Sequence, residues 1–167
     1  MNAKIINLGN QFSAKETIKD FKNNKYAPFD VEITNSHVSN LNKLVGRKIV
    51  RSNKLFINSY TLWEIMQNDS KQENHHHHGL TESDVFEAMC AIRNPKLLYV
   101  AKSKRYAIIT TKPSHFGIPL LIVLEFGVGT KEHINAKSNK IITIYPKDNI
   151  DKIIQKMNRN DILYRKK

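Results

Sequence analysis

The feature that most constrains this fold is the run Ile118-Pro119-Leu120-Leu121-Ile122-Val123-Leu124-Glu125-Phe126, which is nearly all apolar. A strand with one wet face alternates apolar and polar residues. A run this continuous suits a central strand covered on both faces. It is also far too short to cross a bilayer, which takes about 20 apolar residues in a helix. The chain must therefore supply neighbouring strands and covering helices.

The neighbours are legible on both sides. Leu97 to Lys102 and Arg105 to Thr111 read as paired strands around a polar turn at Ser103-Lys104. Ile141 to Tyr145 reads as the next strand, and Ile162 to Arg165 as a last short one. Two helices carry apolar residues at i, i+3, i+4, i+7 spacing. The first places Val85, Ala88, Met89 and Ile92 on one face after the start signal Thr81-Glu82-Ser83-Asp84. Asn94-Pro95 stops it, because proline disfavours α geometry in the residue before it. The second places Ile150, Ile153, Ile154 and Met157 together, with Asp148 or Asn149 as its cap.

The first third is less regular. Ser13-Ala14-Lys15-Glu16 reads as a capping box opening a helix to about residue 23, with Ile18 and Phe21 inward. Val31 to Thr34 and Leu55 to Ile57 read as strands, and Ser59 to Gln67 as a helix with Leu62, Ile65 and Met66 on one face. Residues 36–54 carry no assignable pattern, and Asn68 to His78 reads as a loop. The expected class is α+β: N-terminal helices, then a mainly antiparallel sheet flanked by helices. We divide the chain into an N-terminal extension, 1–54, and a principal domain, 55–167.

The chain has 167 residues and a formal net charge of +12. Residues 1–80 carry 11 basic and 7 acidic residues, and residues 81–167 carry 16 and 8, so the excess is +4 against +8. A basic domain attracts polyanions, and nucleic-acid phosphate is the usual one. Lysine outnumbers arginine 21 to 6, which also fits the composition bias of an AT-rich genome. The single cysteine, Cys90, excludes an internal disulfide and reads as a buried structural thiol beside Met89. The N-terminus lacks a secretory pattern, so we expect a cytoplasmic protein, with export or injection by a dedicated machine compatible with the sequence.

Candidate chemistry centres on two segments. His75 to His78 are adjacent, so in a strand alternate rings face opposite sides and in a helix none has i, i+4 spacing. No metal-ligand motif accompanies them, and we expect neither a metal nor a cofactor. A solvated loop is the plain reading. His78 stands out because it lies three residues before the cap Thr81. A helix N-terminus attracts phosphate and favours a neutral imidazole, which suits a general base. Thr143 and Tyr145 share one strand face, leaving Ile142 and Ile144 to pack under the helix that follows. With Lys147 at the strand end, they form a phosphate cradle, or else the solvated face of an amphipathic strand. Lys102, Lys104 and Arg105 at a turn, and Arg165 and Lys166 at the basic end, are further candidates for phosphate contact, although such residues are often only solvated. Trp63 and Phe86 read as core aromatics, and His115 and His133 show no evident partners.

The landmarks in series resemble a phage- and plasmid-borne family of the barnase–EndoU–colicin–RelE (BECR) nuclease superfamily, found at the ends of phage polyvalent head proteins and among mobile-element toxins. The matching residues are Phe56-Ile57, His78-Gly79, Asn94-Pro95, Gly117-Ile118-Pro119, Thr143-Ile144-Tyr145 and Leu163-Tyr164. Coverage is roughly residues 55–167. Thr143 stands where serine is commoner, and the family's single histidine falls on His77 or His78. The resemblance implies a central antiparallel sheet flanked by helices, and ribonuclease chemistry that leaves a cyclic phosphate.

The expected function is a metal-independent endoribonuclease, a toxin by this kinship, with RNA as substrate and an acidic immunity or antitoxin protein as partner. His78 would do acid–base work, Thr143 and Tyr145 would bond the phosphate or move a proton, and Lys147 and Arg165 would stabilise charge. The alternatives are a non-catalytic nucleic-acid-binding module and a phage structural domain with a basic docking face.

Overall fold

The computed structural model describes residues 4–9, 14–68, 77–128 and 138–167. The described strands form one sheet in the order β1-β2-β3-β7-β6-β5-β4-β8. They are β1 (Ile5–Asn7), β2 (Asp30–Thr34), β3 (Leu55–Asn58), β4 (Leu97–Val100), β5 (Tyr106–Pro113), β6 (Pro119–Val128), β7 (Ser138–Pro146) and β8 (Ile162–Arg165). The helices are α1 (Ala14–Asn23), α2 (Leu41–Val45), α3 (Ser59–Met66), α4 (Glu82–Ala91) and α5 (Ile150–Lys156). β1 with β2 and β3 with β7 pair in parallel; the other pairs are antiparallel. The α+β class is as expected.

β6 lies between β5 and β7, and its alternate residues enter two different cores. Leu120, Ile122 and Leu124 join the larger one with Val85, Ala88 and Met89 of α4 and Leu62 and Ile65 of α3. Leu121 packs on the opposite face with Leu97, Ala107 and Ile109, and Ile150 and Ile154 of α5 cover them. That explains the apolar run: both faces of β6 are covered over Leu120–Leu124, with Val123 half-buried. The sheet also continues across residue 54. Ile6, Val31, Ile33, Val38, Leu41 and Val50 belong to the same core as β6, so residues 1–54 hold no separate core of their own.

Two local readings are corrected and one unassigned stretch is filled. α4 ends at Ala91, three residues before Asn94, with Ile92 still in αR geometry. Asn149 stands at the start of α5 in left-handed geometry and makes no side-chain cap bond. The unassigned stretch 36–54 holds α2 and a 3-10 turn, Val38–Asn40. The Asn42 side chain ties this stretch together by accepting from the N–H groups of Ile49 and Val50 and donating to the Val50 carbonyl. Ser13, read as the cap of α1, lies outside the described residues, as do His75, His76 and His133.

Candidate functional site

β7 carries a register shift. Val123 pairs with Thr143, but Leu124 pairs with Ile141, so Ile142 is the extra residue of a bulge. The bulge resets the alternation, and Ile141 and Ile144 both enter the larger core. Thr143 and Tyr145 share the opposite face, being paired with Val123 and Leu121. Their common face was expected; what covers it was not. α5 packs on the Tyr145 side, through Ile150 and Ile154, and not over Ile144. Strand parity says which residues share a face but not which face the next helix takes.

His78 reaches this place from the segment after α3. Two backbone bonds moor that segment, Gly79 N–H to Gln67 O at 2.7 Å and Leu80 N–H to Ile65 O at 3.1 Å. Gly79 sits at φ +62°, where a side chain is strained, and this turn separates His78 from the helix entry. The His78 and Tyr145 rings lie with centroids 5.6 Å apart and planes tilted by 37°. His77 turns elsewhere, with its ring 5.7 Å from that of Trp63. Of these two histidines, then, His78 is the one beside the Ser/Thr-x-Tyr strand. Lys147 follows at the strand end, where its N–H bonds the Pro119 carbonyl at 2.9 Å.

Burial pushes the Tyr145 phenol above its ordinary range, further from ionising at neutral pH than a free tyrosine. Tyr99, on the same face, is pushed up to about 12, by burial first and by Tyr145 second. A protonated phenol beside an imidazole offers a hydrogen-bond donor next to a proton acceptor. Cys90, expected to be buried, is half-buried and lines a cavity beside α4, and burial raises its thiol.

The helix N-terminus expected to attract phosphate is met by the chain's own carboxylates. Glu82 and Asp84 stand in the first turn of α4, and Thr81 and Asp84 form a reciprocal capping box. Asp84 does more than cap. Its carboxylate also accepts from the His115 N–H at 2.9 Å and makes a short contact with His115 Nδ1. Burial alone would raise this carboxyl. The bonds from the Thr81 and His115 backbones, the His115 ring and the Thr81 hydroxyl outweigh it and hold the group below its usual range. His115, read from the sequence as lacking a partner, is thus held by Asp84, 31 positions away. The hairpin that carries it turns at Gly117, φ +81°, and is tied by Ser114 N–H and Oγ both donating to the Ile118 carbonyl at 2.7 Å. Phe116 joins the two histidine neighbourhoods: its ring lies 3.8 Å from that of His115, and a Cβ on Gly79 would be 3.6 Å from it.

The remaining basic candidates lie apart from His78. Arg165 pairs with Leu97 on β8, four strands from β7, or about 19 Å at the usual strand spacing. It does not join Tyr145. Lys102, Lys104 and Arg105 turn at the Tyr106 end of β5, which is level with Leu124, whereas Tyr145 is level with Leu121. Three residues of strand, about 10 Å, separate the two levels. Arg105 is moreover paired with Glu125 at 2.8 Å. Lys166 lies beside α4 and lines a cavity there. Among the described residues, no three His, Cys, Asp or Glu side chains are grouped as metal ligands. Also among them, no helix is long and apolar enough to cross a membrane. No protein-family model, curated protein or solved structure matches this chain.

Proposed function

We propose that this protein is a metal-independent endoribonuclease of the BECR type that cleaves RNA by attack of a 2′-hydroxyl on the adjacent phosphate. The observation that carries the reading is the approach of the His78 ring to Tyr145, 5.6 Å between centroids, at the end of the strand that also bears Thr143. Residues 67 positions apart bring together the groups this reaction needs. His78 takes the proton of the attacking 2′-hydroxyl. Tyr145, a neutral phenol, donates a hydrogen bond to the phosphate, and Thr143 lies two residues earlier on the same face. Lys147 supplies positive charge at the strand end. The new O–P bond closes a 2′,3′-cyclic phosphate, the bond to the 5′-oxygen breaks, and that oxygen takes the Tyr145 phenol proton, which the protonated His78 beside it restores. DNA lacks the 2′-hydroxyl and resists.

The mainly antiparallel run β4-β5-β6-β7 behind α4 supports the BECR arrangement, and the +12 charge supports an RNA substrate. In a producing cell such an activity calls for an inhibitor, and an acidic immunity or antitoxin protein would be steered to the basic surface. The test is a purified RNA incubated with the protein in chelator, with the product ends identified. Cyclic phosphate ends and intact DNA are expected. Salt-dependent binding without cleavage would instead make the chain a nucleic-acid-binding module.

A further inference from the structure

A cavity of about 550 Å³ lies between α4 and the 110–115 stretch of β5 and the following turn. That is the size of a small-ligand site. It follows the flank of α4, a ten-residue helix and so about 15 Å long. Its two ends differ. At one end is His115, held by Asp84 through Nδ1, which leaves Nε2 as the ring nitrogen for a ligand. At the other are Arg93 and Lys166, with Lys112 on the β5 wall. Apolar surface from Ala91 and its neighbours lies between them.

The charges do not cancel. Lys112 lies 3.6 Å from Glu87, and Asp84 is engaged by His115 and the helix cap. Arg93 makes one long bond, 3.4 Å, to the Asn35 carbonyl, and Lys166 is exposed. Arg93, just past α4, and Lys166, just past β8, thus stand at one end of a partly apolar cleft whose wall carries the Lys112–Glu87 pair. A ligand that fits has a flat or apolar body and an anionic group one side of it.

We propose that this cavity binds a nucleoside phosphate, with the phosphate at Arg93 and Lys166 and the nucleoside lying along α4 toward His115. The His115 end adjoins His78 through Phe116, so an RNA strand in the cavity would be the segment next to the cleaved bond. That placement rests on the reading of His78 and Tyr145 as a ribonuclease site; the binding itself does not.

The experiment is an NMR titration of the full chain with uridine monophosphate and, separately, with a 2′-O-methyl RNA hexamer, which cannot be cleaved because its nucleophile is blocked. Shifts at Ala88, Ala91 and the His115 ring are expected with either. Binding of both makes the ligand an RNA strand, and binding of the mononucleotide alone makes it a free nucleotide. Arg93→Ala and Lys166→Ala should each weaken binding and reduce the slope of log affinity on log salt by about one. Shifts confined to other surfaces, or unchanged slopes in both variants, overturn the proposal. His78→Ala should bind as the parent does. RNA cleavage that persists at the parent rate in the Arg93 and Lys166 variants leaves the ribonuclease reading standing and overturns the placement of an RNA strand in this cavity. Binding in the cavity by a chain that never cuts RNA does the reverse.

Discussion

Replacing Asp84 tests how the helix cap and His115 are joined. The carboxylate is 6% exposed and accepts from the Thr81 N–H at 3.0 Å, from the His115 N–H at 2.9 Å and from the His115 ring. Asp84→Ala removes half of the capping box, worth about 1 kcal/mol. It also leaves the His115 donors without their charged acceptor. Each charge-assisted bond contributes about 1.5–3 kcal/mol, but the His115 ring is 41% exposed and water recovers much of that. The sum is about 2–3 kcal/mol, which lowers Tm by about 5–10 °C in a domain of this length. Thermal unfolding at pH 7 measures it, and a double-mutant cycle with His115→Ala isolates the coupling, expected at about 1 kcal/mol. Acid gives a second reading. The Asp84 pKa is lowered by folding, so its contribution is complete above the unfolded value of about 3.9. It is lost as pH falls from there through the folded value. The gap between parent and Asp84→Asn should therefore be constant from about pH 6 to 8 and close below about pH 4. A Tm within about 1 °C of the parent, or a gap that widens in acid, would mean that the Asp84 carboxylate does not hold the cap and the 114–118 turn together.

Gly79→Ala forces a side chain into left-handed geometry and should cost about 1–2 kcal/mol, read as a Tm shift, with a larger loss of cleavage because His78 is displaced. Lys147→Ala should weaken RNA binding and lower its salt slope by about one, measured by fluorescence anisotropy. Lys104→Ala, at the other end of the strands, should leave cleavage unchanged. Ile144→Ala empties a fully buried core position and should cost about 2–5 kcal/mol in urea unfolding, where Ile142→Ala, in the bulge and half-buried, costs less.

Periodicity made α1, α3, α4, α5 and β6 legible, because the packing of one helical face or of both sheet faces is written in residue spacing, whereas α2, five residues long, is too short to show a period. The pairing of Thr143 with Tyr145 on one face was legible for the same reason. Three features were not. The bulge at Ile142 depends on the register of β6 against β7, which no single strand records. The side taken by α5 depends on how the chain turns at Asn149, which enters the helix in left-handed geometry. The bond from His115 to Asp84 joins a β-turn to a helix cap. The sequence signalled only its local half, the Thr81–Asp84 spacing, and that spacing explains the cap without requiring His115. The basic residues misled in a simple way: proximity in the list of charges says nothing of distance across a sheet, and Arg165 stands four strands from β7.

The most direct measurement of the central claim is the rate of RNA cleavage by His78→Ala beside the parent and His77→Ala, with RNA binding and thermal unfolding measured on the same preparations. His78 lies against Tyr145, while His77 lies against Trp63. Loss of a general acid or base lowers a rate by about 100-fold or more. That loss is expected for His78→Ala, with binding and Tm near the parent's and His77→Ala still active. Cleavage by His78→Ala at the parent rate, or intact RNA with the parent itself, would contradict it.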